Sequence, residues 1–327
     1  MAAKELGKAL LNYVADGMNR IYLIILFVGT LVRTGSVHAQ QQVSVSQYMF
    51  NGLFLNPGSA GSHAYATSSL LHRSQWAQME GAPTTSMVAF DAPLMKQKIG
   101  AGFTVVHDRI GISKDLDLSG NFAYHMRIGT RSKLAFGLRA GVSIYSAQLS
   151  GLRYWDTNDQ VLDRNLTNVP VAKFGFGLYW YRSDAYLGLS APSLFAADKA
   201  IKAVTDSTQT RYYSSHYYLH AGKVYPLSES LDIKPNVLVK FAPNAAVQAD
   251  LNCNLLYRER LWLGVGYRTG AAFVGMVEYV ISPQLRIGYA YDMAAARMRN
   301  YTTGSHEIMI GFDLGREAIT LKSPRYF

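Results

Sequence analysis

The chain has 327 residues, with 32 Lys and Arg against 22 Asp and Glu, a net charge of +10, 22 Tyr, 28 Gly and one Cys. One cysteine excludes an intramolecular disulfide framework and a four-cysteine zinc site. The basic residues are spread over many turns, whereas in nucleic-acid-binding proteins they cluster on one face. A mean hydropathy of +0.01 argues against a polytopic helical membrane protein. Together with a charged fraction of 17%, it favours a chain in which apolar and polar residues alternate, as in a transmembrane β-barrel or some soluble β proteins.

The first 39 residues have the pattern of a secretory signal peptide. A basic flank precedes an apolar run over 21–28, and small residues end the region at Ala39. This run is too short to cross a bilayer as a helix, although an N-terminal membrane anchor is the alternative. We predict a signal peptide over 1–39, with Met18 as an alternative start. The mature chain then begins at about Gln40, exported through the Sec pathway, and it is not a lipoprotein because Gln40 is not Cys.

Period-two alternation recurs from residue 63 to residue 314 and predicts β-strands. In the clearest case Leu134, Phe136, Leu138, Ala140, Val142 and Ile144 share one face, and Ala135, Gly137, Arg139, Gly141, Ser143 and Tyr145 share the other. An apolar face for lipid and a face of small residues with an Arg for the interior are typical of a membrane barrel. The predicted strands are 63–73, 83–92, 97–107, 115–127, 132–148, 170–181, 185–193, 211–225, 230–242, 245–257, 260–268, 270–281, 284–292 and 304–314.

The lengths of the predicted connections favour a barrel over a soluble sandwich. Outer-membrane barrels alternate short periplasmic turns with longer external loops. Counted from the first along the chain, the even-numbered connections between predicted strands are all brief. The odd-numbered connections include the four longest, 74–82, 149–169, 194–210 and 293–303, although two odd-numbered ones near Pro243 and Thr269 are short. We therefore predict an all-β fold, a transmembrane antiparallel barrel of about 14 strands. Its predicted parts are an N-terminal periplasmic or plug-like segment over 40–62, the barrel over 63–314, and a C-terminal periplasmic tail over 315–327.

A search for catalytic and metal-binding patterns finds little. The sequence has no G-x-S-x-G elbow, no H-E-x-x-H and no Walker loop. The stretch 156–159 begins like a calcium loop, but Val161 stands where that loop needs Gly. We predict no catalytic residue, no cofactor and no metal. An outer-membrane lipase or protease is an alternative that needs a Ser-His or Asp-His pair at the rim.

Five cationic side chains fall on the predicted lumen face of their strands. They are Arg139, Lys173, Lys234, Lys240 and Arg286. They either pair with the acidic residues Asp117, Asp232, Asp250 and Asp292 or select anions in an open pore. We expect packing and pairing if the lumen is closed.

Four segments carry a resemblance to a known family. They are Ser46-Gln47-Tyr48-Met49-Phe50-Asn51 with Leu55-Asn56-Pro57-Gly58-Ser59-Ala60-Gly61, Arg73-Ser74-Gln75-Trp76 with Gly81-Ala82-Pro83-Thr84-Thr85, Asp108-Arg109-Ile110-Gly111, and Gly304-Ser305-His306-Glu307-Ile308 with Ser323-Pro324-Arg325-Tyr326-Phe327. In this order they resemble the motifs of the PorP/SprF family of type IX secretion system outer-membrane proteins of Bacteroidota. The one departure is Gly58, where Ala is usual. Because Asn-Pro-Gly is a turn signal, we expect the N-terminal segment to fold back and plug or brace the periplasmic mouth.

The resemblance implies a non-enzymatic outer-membrane component that supports export or surface anchoring of adhesin-type cargo, including in gliding motility. Implied partners are membrane lipid, periplasmic ring lipoproteins, a peptidoglycan-binding partner and the secreted cargo. The candidate partner-binding or barrel-sealing residues are Gln47, Tyr48, Asn51, Asn56, Pro57, Arg73, Gln75, Trp76, Gly81, Pro83, Asp108, Gly111, His306, Glu307, Pro324 and Arg325. The alternative is a porin or a hydrophobic-compound channel. An open lumen favours the channel, and a lumen filled by residues 40–62 favours the anchoring component.

Overall fold

The computed structural model describes residues 44–149, 165–197, 215–243, 245–270, 272–294 and 300–314. The chain divides into two compact units. The first unit comprises residues 40–243 and 248–327, and the second comprises residues 1–39 and 244–247. In the second unit the structure describes only the irregular segment 245–247. The predicted signal peptide, the calcium-like stretch, Pro324 and Arg325 lie outside these ranges. Among the described residues there is no helix of the length and apolarity needed to cross a membrane.

Fourteen strands, all antiparallel to their neighbours, make up the sheet. They are β1 (Ala66–Ser74), β2 (Thr84–Leu94), β3 (Ile99–Ile110), β4 (Ser113–Ile128), β5 (Ser132–Ala147), β6 (Leu166–Arg182), β7 (Ala185–Ala197), β8 (Tyr217–Lys223 and Tyr225–Ser228), β9 (Leu231–Phe241), β10 (Gln248–Tyr257), β11 (Leu261–Arg268), β12 (Ala272–Val280), β13 (Leu285–Ala294) and β14 (Ser305–Leu314). Each strand pairs with the next along the chain, and β14 pairs with β1 from Ala66 opposite Leu314 to Ser74 opposite His306. The sheet therefore closes into a barrel, as predicted.

The two ends of the barrel differ in the length of their connections. The even connections span 95–98, 129–131, 183–184, 229–230, 258–260 and 281–284, and we call their end the short-turn end. The opposite, long-loop end carries 75–83, 148–165, 198–216 and 295–304. The third connection, 111–112, is shorter than predicted, because β3 continues to Ile110 and β4 already begins at Ser113.

The two faces of the wall follow the alternation in the sequence. On β5, Phe136 and Leu138 are exposed on the outside, whereas Ala135 and Gly137 are buried inside. β12 repeats the pattern without a break, with Phe273 outside and Glu278 inside. The outer surface is thus apolar and the inner surface holds the polar and charged groups, the arrangement that a lipid environment favours.

The eighth strand departs from its prediction as one continuous strand over 211–225. It is split at Val224, and residues 211–214 lie outside the described chain. Val224 donates its N–H to the carbonyl of Asp184 in the preceding turn, and Pro226 has no N–H to offer to a ladder. Both pieces still pair with β9, so they occupy one position in the barrel.

Before β1 the chain forms three single-turn 3₁₀ helices, Tyr48–Phe50, Gly52–Phe54 and Pro57–Ser59. Side chains cap the second and third: Asn51 accepts a hydrogen bond from Leu53 N–H, and Asn56 accepts one from Gly58 N–H at 2.8 Å. Pro57 at the first helical position fits there because its missing N–H has no partner to lose. Residues 44–62, the inner segment, are thereby folded into a compact irregular chain.

Candidate functional site

The inner segment lies inside the barrel. Its residues contact side chains of strands from around the whole wall, including Arg73 on β1, Arg139 on β5, Ser190 on β7 and Lys234 on β9. Most residues from Val45 to Gly61 are buried, and Tyr48, Leu53 and Asn56 are each at most 2% exposed. The lumen is therefore filled along this part of the chain.

The inner segment runs through the length of the lumen. Ser44 accepts a hydrogen bond from Lys240 at the long-loop end of β9 (2.8 Å), whereas Phe50 packs edge-on against Trp262 at the short-turn end of β11. The segment then crosses the lumen, and Gly61 reaches Asp91 on β2 near the short-turn end. The expected bracing of one mouth is thus only part of the arrangement, because the segment fills the lumen between both ends.

Carboxylates of the wall bind the N–H groups of the inner segment. Glu307 accepts from Ser46 N–H (2.9 Å) and from Gln47 N–H (2.8 Å), one on each oxygen. Asp91 accepts from Gly61 N–H at 2.7 Å. Because an irregular segment cannot pair these groups within a helix or sheet, the wall has to satisfy them.

Cationic side chains of the wall bind the carbonyl groups of the same segment. Arg139 donates to the carbonyl oxygens of Leu53 and Phe54, and Lys234 donates to that of Met49 at 3.3 Å. The Lys234 ammonium also lies 5.7–5.8 Å from the ring centroids of Phe50, Tyr186 and Trp262. Three aromatic rings and a carbonyl thus stabilise a fully buried cation.

Two arginines and two carboxylates meet at Ser46. Arg73 donates to Asp292 (2.6 Å) and to Glu307 (3.1 Å), and Arg268 donates to the same Asp292 oxygen at 2.9 Å. Ser46 Oγ donates to Asp292 at 2.7 Å and accepts from both arginines. The network extends to Asp250, which binds Arg268 and Lys240 at 3.1 Å each. Removing any one member therefore leaves another buried charge without full compensation.

The predicted pairing of lumen charges is met in part by the expected partners. Lys173 binds Asp117 at 2.9 Å and Lys240 binds Asp250 at 3.1 Å. Asp292, in contrast, binds Arg73 and Arg268, neither of which was among the five predicted cations. Arg139 takes Asn121 and the inner segment as its partners.

Glycine on the wall makes room for the inner segment at its closest approach. A Cβ atom on Gly137 of β5 would collide with the backbone of Pro57 and Gly58. Any larger residue would push the inner segment away from the wall. Asn56 holds the same part to the neighbouring strand, because its Nδ2 donates to the carbonyl of Leu178 on β6 at 2.9 Å.

The R-S-Q-W and G-A-P motifs build an ordered loop at the long-loop end. Gln75 N–H donates to the Pro83 carbonyl, which closes the base of the loop. Trp76, with a positive φ of 52°, donates its N–H to Ser305 Oγ at 3.2 Å, and Gly111 N–H donates to the Gly81 carbonyl at 2.9 Å. The first loop is thus joined to β14 and to the 111–112 turn.

The structure brings together some of the candidate residues and separates others. Gln47, Arg73 and Glu307 meet in the lumen network, and Tyr48 accepts a hydrogen bond from Asn252 on β10. Asn51 contacts Ser69 on β1. Asp108 accepts a hydrogen bond from Thr85 near the end of β3, and His306 faces outward, where it contacts Tyr289. Those two do not belong to the network.

Sequence reasoning missed three members of the lumen site. The sequence patterns do not mark Arg268 or Asp91, and they mark Ser46 only as part of a motif. The alternation does place Arg268 and Asp91 on lumen faces, so a systematic reading of every strand finds them. Within the described ranges, no group of three or more His, Cys, Asp or Glu is arranged to hold a metal ion.

Comparison with known proteins gives one family match. The model of the family described as "Type IX secretion system membrane protein PorP/SprF" matches residues 37–312. No curated protein sequence matches the chain.

Solved barrels resemble the chain at low sequence identity. Omp33 of Acinetobacter baumannii is 11% identical with a TM-score of 0.40, and the match covers 76% of this chain and 99% of the Omp33 chain. A Pseudomonas aeruginosa FadL homologue is 10% identical with a TM-score of 0.41, and the match covers 80% of this chain and 93% of the homologue. The TodX deltaS2S3 mutant monoaromatic hydrocarbon channel is 9% identical with a TM-score of 0.44, and the match covers 80% of this chain and 92% of that channel.

Proposed function

The chain belongs to the PorP/SprF family of type IX secretion system membrane proteins, and from that premise we propose that it is a sealed, non-enzymatic component of the outer membrane. In this role it supports the export or surface anchoring of adhesin-type proteins. The observation that carries the proposal is the filled lumen. A barrel whose interior holds its own chain offers a rigid platform, not a passage for solutes.

The manner of filling supports a permanent seal. The inner segment is held by hydrogen bonds from charged side chains on many strands, and hydrogen bonds to charged groups contribute about 1.5–3 kcal/mol each. It also packs apolar side chains, among them Tyr48, Met49 and Phe50, against Trp262 and Met309. Both kinds of contact oppose opening.

We place the short turns in the periplasm and the long loops outside the cell, following the usual arrangement of such barrels. The signal peptide over 1–39 delivers the chain by the Sec pathway. The long loops 148–165 and 198–216 then face secreted cargo, and the short-turn end with the tail over 315–327 faces the periplasmic ring lipoproteins and the peptidoglycan-binding partner. These roles come from the family resemblance and from loop length.

Deleting the gene tests the proposal. We expect lower secretion or surface display of at least one type IX cargo, measured by immunoblotting of culture medium and by labelling of intact cells, with recovery on re-expression of the wild-type chain. Unchanged secretion and display of every cargo would overturn the proposal. Co-purification from outer membranes then identifies the cargo and the ring partners.

The alternative is a porin or hydrophobic-compound channel. It requires that the inner segment leaves the lumen or shifts within it. Conductance of the purified wild-type barrel in a planar bilayer distinguishes the two, because a sealed platform conducts no more than the empty bilayer.

A further inference from the structure

A cavity of about 220 Å³ opens at the short-turn end, outside the Ser46 network, and Ser62 at the end of the inner segment is one of its lining residues. Lys133 lines it from β5, Tyr181 and Arg182 line it from β6, and Gln97, Arg131 and Ser183 line it from the three neighbouring turns. None of its lining residues is acidic. It is smaller than a pocket for a drug-sized ligand, and its size suits one protruding side chain.

Lys133 faces into this cavity with a neutral partner. Its Nζ donates to Gln97 Oε1 at 2.6 Å and lies 5.8 Å from the centroid of the Tyr181 ring. The Tyr181 hydroxyl is held by His125 Nδ1 at 2.9 Å, which fixes the ring. In the part of the chain that the structure describes, no carboxylate lies within ion-pair distance of Lys133.

The turns around the cavity are strongly cationic. The three adjacent stretches 94–99, 127–133 and 181–185 carry six basic residues and one acidic residue, Asp184. Asp184 is engaged by Arg182, whose Nη2 donates to it at 2.9 Å. The corresponding stretches around two other turns of the same end, 227–232 and 257–261, hold two basic and three acidic residues. The positive charge is therefore concentrated on one sector, with the cavity at its centre.

We propose that this cavity binds a Glu or Asp side chain on an acidic segment of a periplasmic protein. The inference rests on the proposed function only in placing the short turns in the periplasm. Lys133 and Arg131 supply the charge for a carboxylate, and Tyr181 and Gln97 supply an aromatic surface and a polar contact. Membrane lipid is a poorer occupant, because Lys133 and Tyr181 project to the lumen side of the wall, away from the lipid-facing side.

Peptide binding to the purified full-length chain in neutral lipid nanodiscs tests the proposal. The probe is a fluorescein-labelled hexaglutamate peptide, followed by fluorescence anisotropy at low salt, with hexaglutamine as the uncharged control peptide. We expect hexaglutamate to bind, hexaglutamine not to bind, and 1 M salt to abolish binding because it screens the charges. Lys133→Gln and, separately, Arg131→Gln should each weaken binding about tenfold.

Lys114→Gln is the matched control, because Lys114 is an exposed cation at the opposite end of the barrel. Arg131 is exposed in a turn, so we expect Arg131→Gln to fold. This variant therefore still tests the proposal if Lys133→Gln fails to fold. Absence of hexaglutamate binding, or equal weakening by Lys114→Gln, would overturn the proposal. Competition by glycerol phosphate as strong as by unlabelled hexaglutamate would assign the cavity to a lipid headgroup and overturn it too. Secretion in the deletion strain tests the proposed function independently of these outcomes.

Discussion

Arg73 and Glu307 are direct cross-strand partners at the seam where the first strand of the barrel meets the last, with Nη1 and Oε2 3.1 Å apart. The same carboxylate binds the N–H groups of Ser46 and Gln47. One buried ion pair thus joins the closure of the barrel to the filling of its lumen. Because Glu307 is separated by at least 234 positions from Arg73, Ser46 and Gln47, these contacts require the last strand to lie beside the first.

Replacing Glu307 with Gln tests this coupling. The amide keeps the shape but removes the charge that Arg73 and the two N–H groups of the inner segment share. We expect the free energy of unfolding to fall by about 1.5–3 kcal/mol, the range for hydrogen bonds to charged groups. Urea unfolding in lipid vesicles, followed by the mobility of unheated samples on gels, measures the change. The exposed Glu80→Gln should stay within about 0.5 kcal/mol of wild type, and an equal effect of both variants would contradict the coupling.

Removing residues 44–58 tests the seal. The deletion empties the lumen of most of the inner segment while leaving every strand intact. We expect the deletion variant to conduct ions in a planar bilayer, because polar groups of the wall then line a water-filled passage. The wild-type chain, inserted under the same conditions, should show the baseline of the empty bilayer. Wild-type conductance above that baseline would favour the channel, and a deletion variant that stays at the baseline would contradict the seal.

Local pattern predicted the wall well. Each strand has a period of two, so Leu138 and Gly137 could be assigned to opposite faces without knowledge of their neighbours. The parity of loop lengths likewise predicted the closed barrel. The strand ends were less exact at β8, because the break at Val224 depends on a hydrogen bond to Asp184 in another hairpin.

The filling of the lumen could be predicted only in outline. The Asn-Pro-Gly turn indicated that the chain folds back, but the path of the inner segment is set by partners on strands distant in sequence. Lys234 and Met49, for example, are separated by 185 positions. No periodicity in the N-terminal segment records such contacts. The family motifs marked Arg73 and Glu307 without revealing that Asp292 and Arg268 join them.

Replacing Gly137 with Ala tests the close approach of the inner segment to the wall. The new methyl group would meet the backbone of Pro57 and Gly58, which can move only by breaking the contacts of Asn56. We expect a loss of about 1–3 kcal/mol, typical of overpacking. Gly120→Ala, on the outer face of the neighbouring strand, is the control for the Gly-to-Ala change itself, because its nearest new contact is the Ala140 carbonyl at 3.8 Å. A Gly137→Ala variant as stable as the control would show that the segment adjusts freely.

Placing a charge on the outer face tests the orientation of the wall toward lipid. Leu138 lies near the middle of β5 and is 62% exposed on the outside, whereas Ile128 ends β4 next to a short turn. An Arg at the bilayer midplane costs about 2–4 kcal/mol, and one near the interface costs about 0–1 kcal/mol. We therefore expect Leu138→Arg to destabilise the barrel far more than Ile128→Arg in urea unfolding from lipid vesicles. If both variants lost the same stability, the outer face would not follow the depth of a bilayer, and the assignment of these faces would be wrong.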